Sequence, residues 1–279
     1  MNLGRKREEI PRVAERMLAD YDAHHPNEIF AERGPGWLTL EDAYAVQHAV
    51  AKLRLARGEQ CLGYKVGCVG PAIQKQLGLP QPVRGYLWAS EQHVSGCPLD
   101  ATRFANLAAE GELALRLRCD VPTGTTRGVD LFACVERWFP VLELHNAVFR
   151  GPVPTSQELI AGNAMHAGYV LPADRQEDAA GGAESAQSLD ALRHAQIHVA
   201  LDGVIVETTS ATELPGGPLG SLRWLVASLI PRNETLRANM LVLTGSPGRL
   251  FPIRPGMTLA VESAGQRVEA FIGGGDRRG

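Results

Sequence analysis

Two glutamates two residues apart carry the first chemical signal in this chain. They are Glu110 and Glu112, in Ala109-Glu110-Gly111-Glu112-Leu113-Ala114-Leu115-Arg116-Leu117. The run is otherwise apolar and strand-like, and on a β-strand residues i and i+2 project from the same face. The pair therefore points into one environment. A third acid, Glu143, interrupts a second strand-like run, Phe139-Pro140-Val141-Leu142-Glu143-Leu144-His145-Asn146. An unpaired buried carboxylate is costly or takes up a proton. Three together repel unless a cation lies between them, and a hard divalent ion with oxygen ligands, Mg²⁺ or Mn²⁺, suits them. The residues alone leave a plainer alternative open, in which each glutamate faces solvent or pairs with Arg116, Arg118 or Arg150.

The elements that would position these groups can be read from periodicity. Ile10, Val13, Met17 and Leu18 recur at helical spacing between about Arg5 and His25, and Pro26 ends the segment. Thr39 followed by Asp42 is close to a capping box and opens a second helix with Ala43, Val46, Val50, Leu53 and Leu55 on its apolar face. Strands are expected over Gln60–Cys68, Val83–Ala89, His166–Leu171, Met240–Thr244, Met257–Ser263 and Arg267–Ile272. Short helices are expected at Gly70–Gly78 and from Thr155, and an amphipathic one at Leu219–Ile230. Val129–Trp138 reads as a helix leading into the strand that holds Glu143. Asp202-Gly203 between two apolar runs predicts a hairpin with a type I′ turn. Residues 173–190, rich in Ala, Gly, Glu, Ser and Asp, read as a mobile surface insertion.

Composition narrows the class. At 279 residues and a net charge of -3, the chain has length for a substantial core and no basic excess for nucleic acid. Its five cysteines show neither a disulfide framework nor zinc spacing. No apolar run approaches membrane-spanning length and no signal-peptide core is evident, so a cytoplasmic protein is expected. Only Lys6, Lys52, Lys65 and Lys75 are lysines among 28 basic residues. Lys65 lies among small and apolar neighbours. Its plain reading is a surface or ion-paired lysine; partly desolvated beside a divalent ion, its pKa should fall, making it a proton shuttle.

Gly63-Tyr64-Lys65-Val66-Gly67, Gln74-Lys75-Gln76-Leu77-Gly78 and Gly85-Tyr86-Leu87 resemble the 2-keto-4-pentenoate hydratase/4-oxalocrotonate decarboxylase family. That family is a branch of the fumarylacetoacetate hydrolase superfamily. Ala109-Glu110-Gly111-Glu112 resembles its metal-binding strand and Val141-Leu142-Glu143-Leu144 its third carboxylate. Asn163-Ala164, Gly217-Pro218-Leu219 through Trp224-Leu225, Val242-Leu243-Thr244-Gly245-Ser246 and Arg254-Pro255-Gly256 follow in order. The resemblance implies an α+β fold: a mixed β-sandwich or β-roll over 59–279, preceded by a helical segment over 1–58, as one structural unit. It implies Glu110, Glu112 and Glu143 as ligands of Mg²⁺ or Mn²⁺, Lys65 as catalytic, and Tyr64, Asn163, Thr244 and Ser246 as substrate-binding; Arg84 and His166 join the substrate-binding candidates on their own side-chain chemistry. The implied activity is a metal-dependent lyase of aromatic catabolism, hydrating an unsaturated 2-oxo acid such as 2-hydroxypenta-2,4-dienoate. The alternatives are decarboxylation of a 2-oxo dicarboxylate of the 4-oxalocrotonate type, or a non-catalytic subunit of a hydratase–decarboxylase complex. The partner is a small 2-oxo acid, with no nucleic acid and no membrane; a homo-oligomer is expected, or a complex with a related enzyme.

The chain departs from the family in three places. Pro82-Val83-Arg84-Gly85 replaces a Pro-Asp-x-Gly segment, Glu143-Leu144-His145-Asn146 replaces Glu-Ile-Val-Asp, and Met165 and His166 replace serines. Pocket polarity changes accordingly. Arg84 could grip a distal substrate carboxylate in bidentate fashion or be a surface arginine. His145 and His166 could be donors behind the ligands, general acids, or satisfied core histidines. His194 and His198 have zinc-like spacing, but His198 falls in the hairpin strand. Gly273-Gly274-Gly275 reads as a frayed tail and Trp138-Phe139 as core.

Overall fold

A computed structural model of the chain describes residues 3–25, 28–34, 36–121, 131–146, 154–173 and 188–274. Three helices come first: α1 (Leu3–Asp22), α2 (Glu28–Arg33) and α3 (Leu40–Ala56). Thr39 and Asp42 form the capping box of α3, pairing first-turn N–H groups that the helix cannot satisfy itself. Then follow β1 (Cys61–Gly67), α4 (Pro71–Leu77), β2 (Val83–Trp88), β3 (Gln92–Val94), β4 (Pro98–Asp100), β5 (Leu107–Leu117) and β6 (Val135–Asn146). The second half holds α5 (Ser156–Ala161), β7 (His166–Leu171), α6 (Leu189–His194), β8 (Gln196–Leu201), β9 (Val204–Ser210) and α7 (Gly217–Leu229). It closes with β10 (Leu241–Leu243), β11 (Phe251–Pro252), β12 (Thr258–Ser263) and β13 (Gln266–Gly273). Among the described residues, no helix is long and apolar enough to cross a membrane.

The strands form two mixed sheets. The first has the order β2-β1-β10-β5-β6-β7-β3, with β11 also on β5; the second has the order β4-β13-β12-β8-β9. Pairs β1–β10, β3–β7 and β4–β13 are parallel and the others antiparallel. One face of the first sheet packs on the second through Leu113, Leu115 and Leu142 against Val199, Val261 and Val268. Here Gly111 is required. A Cβ on it would lie 2.7 Å from Val199 and 2.8 Å from Val261, so the residue between the two glutamates must have no side chain. The other face buries Leu87, Ala114, Phe139, Val141, Tyr169 and Leu243. The sheet curls round this face until Tyr169 Oη donates to Trp88 O at 3.4 Å, joining β7 to β2. The helices close one side: Val13, Met17, Phe30 and Val46 share a cluster with Leu79, Val83, Leu159 and Ile160.

The expected α+β roll with leading helices is the observed fold. Asp202 and Gly203 both have positive φ, 50° and 80°, as the I′ hairpin demands. Trp138 and Phe139 are buried, and His198 lies on β8. Two expectations are corrected. The predicted helix at Val129–Trp138 is a single 3₁₀ turn, Leu131–Cys134, followed by strand from Val135. Residues 129 and 130 lie outside those described. Pairing with β5, which sets Leu117 opposite Val135 and Leu115 opposite Trp138, outweighs local helix preference. On α3, Leu55 is exposed and Arg54 buried, because Arg54 finds carboxylates in the interior. The expected insertion falls mostly on residues 174–187, outside those described, and its end is α6, capped by Ser188. The short α2, β3, β4 and β11 carry too little periodicity to be seen in the sequence. Gly273 closes β13, and Gly275 lies outside the described residues.

Candidate metal and proton-transfer site

The inner face of the first sheet carries the chemistry. Register places Glu110 opposite Glu143 and Glu112 opposite Val141, so all three carboxylates share that face. Lys65 arrives from β1, where it pairs with Leu243 of β10. Its ammonium lies 3.1 Å from Glu143 Oε1, and both side chains are sealed from solvent. Gly67 makes the space: a Cβ there would lie 2.8 Å from Lys65 Nζ. His166 Nδ1 meets the same Glu143 oxygen at 2.7 Å. His145 Nε2 stands 3.0 Å from Glu110 Oε1 and 3.7 Å from Glu143 Oε2. Ligand atoms of Glu110, Glu143 and His145 all lie within 4.8 Å of one another.

The electrostatics are lopsided. Three carboxylates face one ammonium. Burial, then the charge of Glu143 and a hydrogen bond with it, hold the Glu112 carboxyl well above the usual range. Glu143 moves the other way: burial opposes its charge, but Lys65, His145 and His166 outweigh that and keep it ionised. Lys65 corrects the expectation of a lowered pKa. Burial pulls it down, yet Glu143, Glu110 and Glu112 together raise it above an ordinary lysine. Glu112 Oε1, Glu143 Oε2 and His145 Nδ1 are buried with no hydrogen-bond partner. Orphaned carboxylate oxygens on one sheet face fit a divalent ion of the Mg²⁺ or Mn²⁺ kind.

The loop after β10 supports this face. Gly245 N–H donates to Glu112 Oε2. Thr244 Oγ1 donates to Leu113 O at 2.9 Å and Ser246 Oγ to Gly111 O at 3.1 Å, fastening that N–H to β5. Asn163 is pinned to β2, accepting from Tyr86 N–H at 2.7 Å and donating to Tyr86 O at 3.0 Å. Asn163, Ala164 and Met165 are consecutive left-handed residues, with φ of 56°, 54° and 62°. Such backbone costs about 1–2 kcal/mol per residue, and here it aims Ala164 O at Lys65 Nζ, 3.5 Å away.

Not every predicted residue joins the cluster. Tyr64 and Arg84 share the opposite sheet face, since Lys65 pairs with Gly85, Tyr64 with Tyr86 and Val66 with Arg84. Tyr64 packs on Tyr86 at 5.2 Å between centroids. Arg84 is neither a surface arginine nor a neighbour of Lys65. It is buried, stacks on Tyr44 at 4.5 Å and has Glu234 at 3.9 Å. His166 stands at the rim of a cavity of about 500 Å³ under the helices, lined also by Arg54, Glu91, Asn163 and Met165. Its Nε2 lies 3.7 Å from Glu91 Oε2, while Arg54 holds the other Glu91 oxygen at 2.7 Å. Glu91 and the Gly245 N–H carried no sequence signal. His145 did: it is i+2 from Glu143 on the same strand.

No protein-family model matches the chain. Over 224 residues it is 29% identical to a protein named 2-keto-4-pentenoate hydratase from Paraburkholderia phymatum, covering 80% of this chain and 82% of that one. A 4-oxalocrotonate decarboxylase from Pseudomonas putida is 23% identical over 269 residues, or 95% and 97% of the two chains. The structure of 4-oxalocrotonate decarboxylase from Pseudomonas putida G7, complexed with magnesium and adipate, superposes with a TM-score of 0.82. It is 23% identical and covers 95% of this chain and 98% of that one. The chain is thus similar along most of its length to this hydratase/decarboxylase group, at the identities of a divergent relative.

Proposed function

We propose that the protein is a divalent-metal-dependent lyase that hydrates an unsaturated 2-oxo acid of the 2-hydroxypenta-2,4-dienoate type. The observation that carries this is a buried lysine held 3.1 Å from one of three carboxylates on a single sheet face. Glu110, Glu112 and Glu143 would hold Mg²⁺ or Mn²⁺, which when bound supplies a Lewis acid against the charge on an enolate oxygen. Lys65 keeps a proton at Nζ, delivers it to the far carbon of the dienol and recovers one from the C2 enol hydroxyl, so that the dienol becomes the conjugated 2-oxo acid. Glu143 and Ala164 O hold the ammonium in line for that transfer. Water then adds across the double bond, its hydroxyl to C4 and its proton to C3. Thr244 and Ser246 serve by fastening the loop whose Gly245 N–H orients Glu112. Activity as a homo-oligomer belongs to the same proposal.

One observation favours a second reading, decarboxylation of a 2-oxo dicarboxylate. Val83, beside Gly67 and buried, offers no polar atom to position water where a carboxylate would. The decarboxylase relative also aligns over more of the chain than the hydratase relative does. The test uses purified protein with Mg²⁺ or Mn²⁺. Hydration predicts ¹⁸O from labelled water at C4 of the product from 2-hydroxypenta-2,4-dienoate, and decarboxylation predicts CO₂ from 2-oxohex-3-enedioate. EDTA should abolish either, and restored metal should return it. Activity indifferent to EDTA removes the metal reading; neither product, with stimulation of a partner enzyme, favours the non-catalytic subunit.

A further inference from the structure

We propose that His145 Nε2 is itself a ligand of the ion, so that the site binds a first-row transition ion through nitrogen as well as oxygen. The inference rests on the reading of Glu110 and Glu143 as ligands. It concerns a residue that reading does not need.

Four observations support it. Strand parity puts His145 on the face of Glu143, two residues on, and its ring is buried. Its Nε2 is 3.0 Å from one Glu110 oxygen and 3.7 Å from a Glu143 oxygen. Ligands bonded at about 2.1 Å to one ion stand roughly 3 Å apart when adjacent, so these separations suit donors round a common centre. Glu110, Glu143 and His145 form a group whose ligand atoms all lie within 4.8 Å of one another. Finally, the Glu143 oxygen facing His145 has no hydrogen-bond partner, so it keeps its lone pairs for an ion.

Donor chemistry then decides the preference. Mg²⁺ favours all-oxygen sites, whereas neutral imidazole binds Mn²⁺, Fe²⁺ and Co²⁺ increasingly well. A nitrogen ligand therefore moves this site from Mg²⁺ toward those ions. The competing role for His145 is a hydrogen-bond donor to Glu110 that never touches the ion.

Mn²⁺ separates the two, because its electron spin reports a directly bound ¹⁴N nucleus. The wild-type protein loaded with Mn²⁺ should show ¹⁴N modulation in electron spin-echo experiments. His145→Gln, close in shape, should lose it, with Mn²⁺ affinity falling at least tenfold and Mg²⁺ affinity less than threefold. His166→Gln should keep the modulation. Bound Mn²⁺ without nitrogen coupling in the wild type, or coupling unchanged in His145→Gln, overturns the inference and leaves the carboxylate site standing. Failure of the wild type to bind Mn²⁺ at all overturns the carboxylate site itself, and this inference with it. Circular dichroism of each variant shows that the fold is intact.

Discussion

Two buried charged clusters lie on either side of His166, and they are built differently. Around Arg54 the charges are matched. Its Nε and Nη2 hold Glu59 Oε2 at 2.9 and 2.6 Å, its Nη1 holds Glu91 at 2.7 Å, and its guanidinium stacks over Trp88 at 4.4 Å. Arg57 pairs with Glu59 and Asp22 besides. Around Lys65 three carboxylates share one ammonium, and Glu112 and Glu143 each keep an oxygen without a partner. The first cluster has spent its carboxylate oxygens on its own arginines, Glu91 Oε2 alone being left without a hydrogen-bond partner. The second holds capacity in reserve, which a structural ion network has no reason to do. Burial alone would not have told them apart.

The contrast can be broken at four points. Lys65→Met should cost the largest effect, roughly a thousandfold or more in turnover, about 4 kcal/mol in activation free energy. Mn²⁺ binding should survive it, which equilibrium titration can check; lost binding with normal turnover would reverse the assignment. Arg54→Met leaves Glu91 without its cation and Glu59 with Arg57 alone, and should lower unfolding stability by about 3–5 kcal/mol, read by urea denaturation. Its Mn²⁺ affinity should stay within about threefold of wild type.

Glu112→Gln tests the lopsided charge directly. The raised carboxyl pKa means the ion-free fold prefers the protonated form. The stability it confers is complete below the unfolded value, about pH 4.3, and is lost as pH rises through the raised folded value. In EDTA, the wild-type melting temperature should therefore decline as pH rises from 5 toward 8, and Glu112→Gln should decline less while losing turnover with metal present. Equal slopes would mean that Glu112 is not the proton holder. The smallest effect expected is for Ser246→Ala, which removes one hydrogen bond to Gly111 O and should cost about 1 kcal/mol in denaturant unfolding.

Much of this was legible in the chain itself. Alternation has a fixed period of two, so Glu110 with Glu112, and Glu143 with His145, had to share faces wherever their strands went. The Thr39–Asp42 cap and the Asp202-Gly203 turn are equally local and came out as expected. Arg84 shows the limit. Its type suits a carboxylate grip, but its place is decided by pairing with Val66, one residue from Lys65, which turns it to the far face. Parity is absolute only within a strand; across strands it depends on register, which distant residues set.

The order of acids and apolar residues along β5 and β6 thus determined that carboxylates would line one face of a sheet. Tertiary structure decided what they meet there. It brought Lys65 to Glu143, set two histidines against the same carboxylate, and cleared the way with Gly67. It also sent Lys65 upward in pKa rather than down, because that direction depends on how many charges lie within a few ångströms in space. Side-chain direction is a property of the local backbone, whereas electrostatic environment is a sum over neighbours from the whole chain.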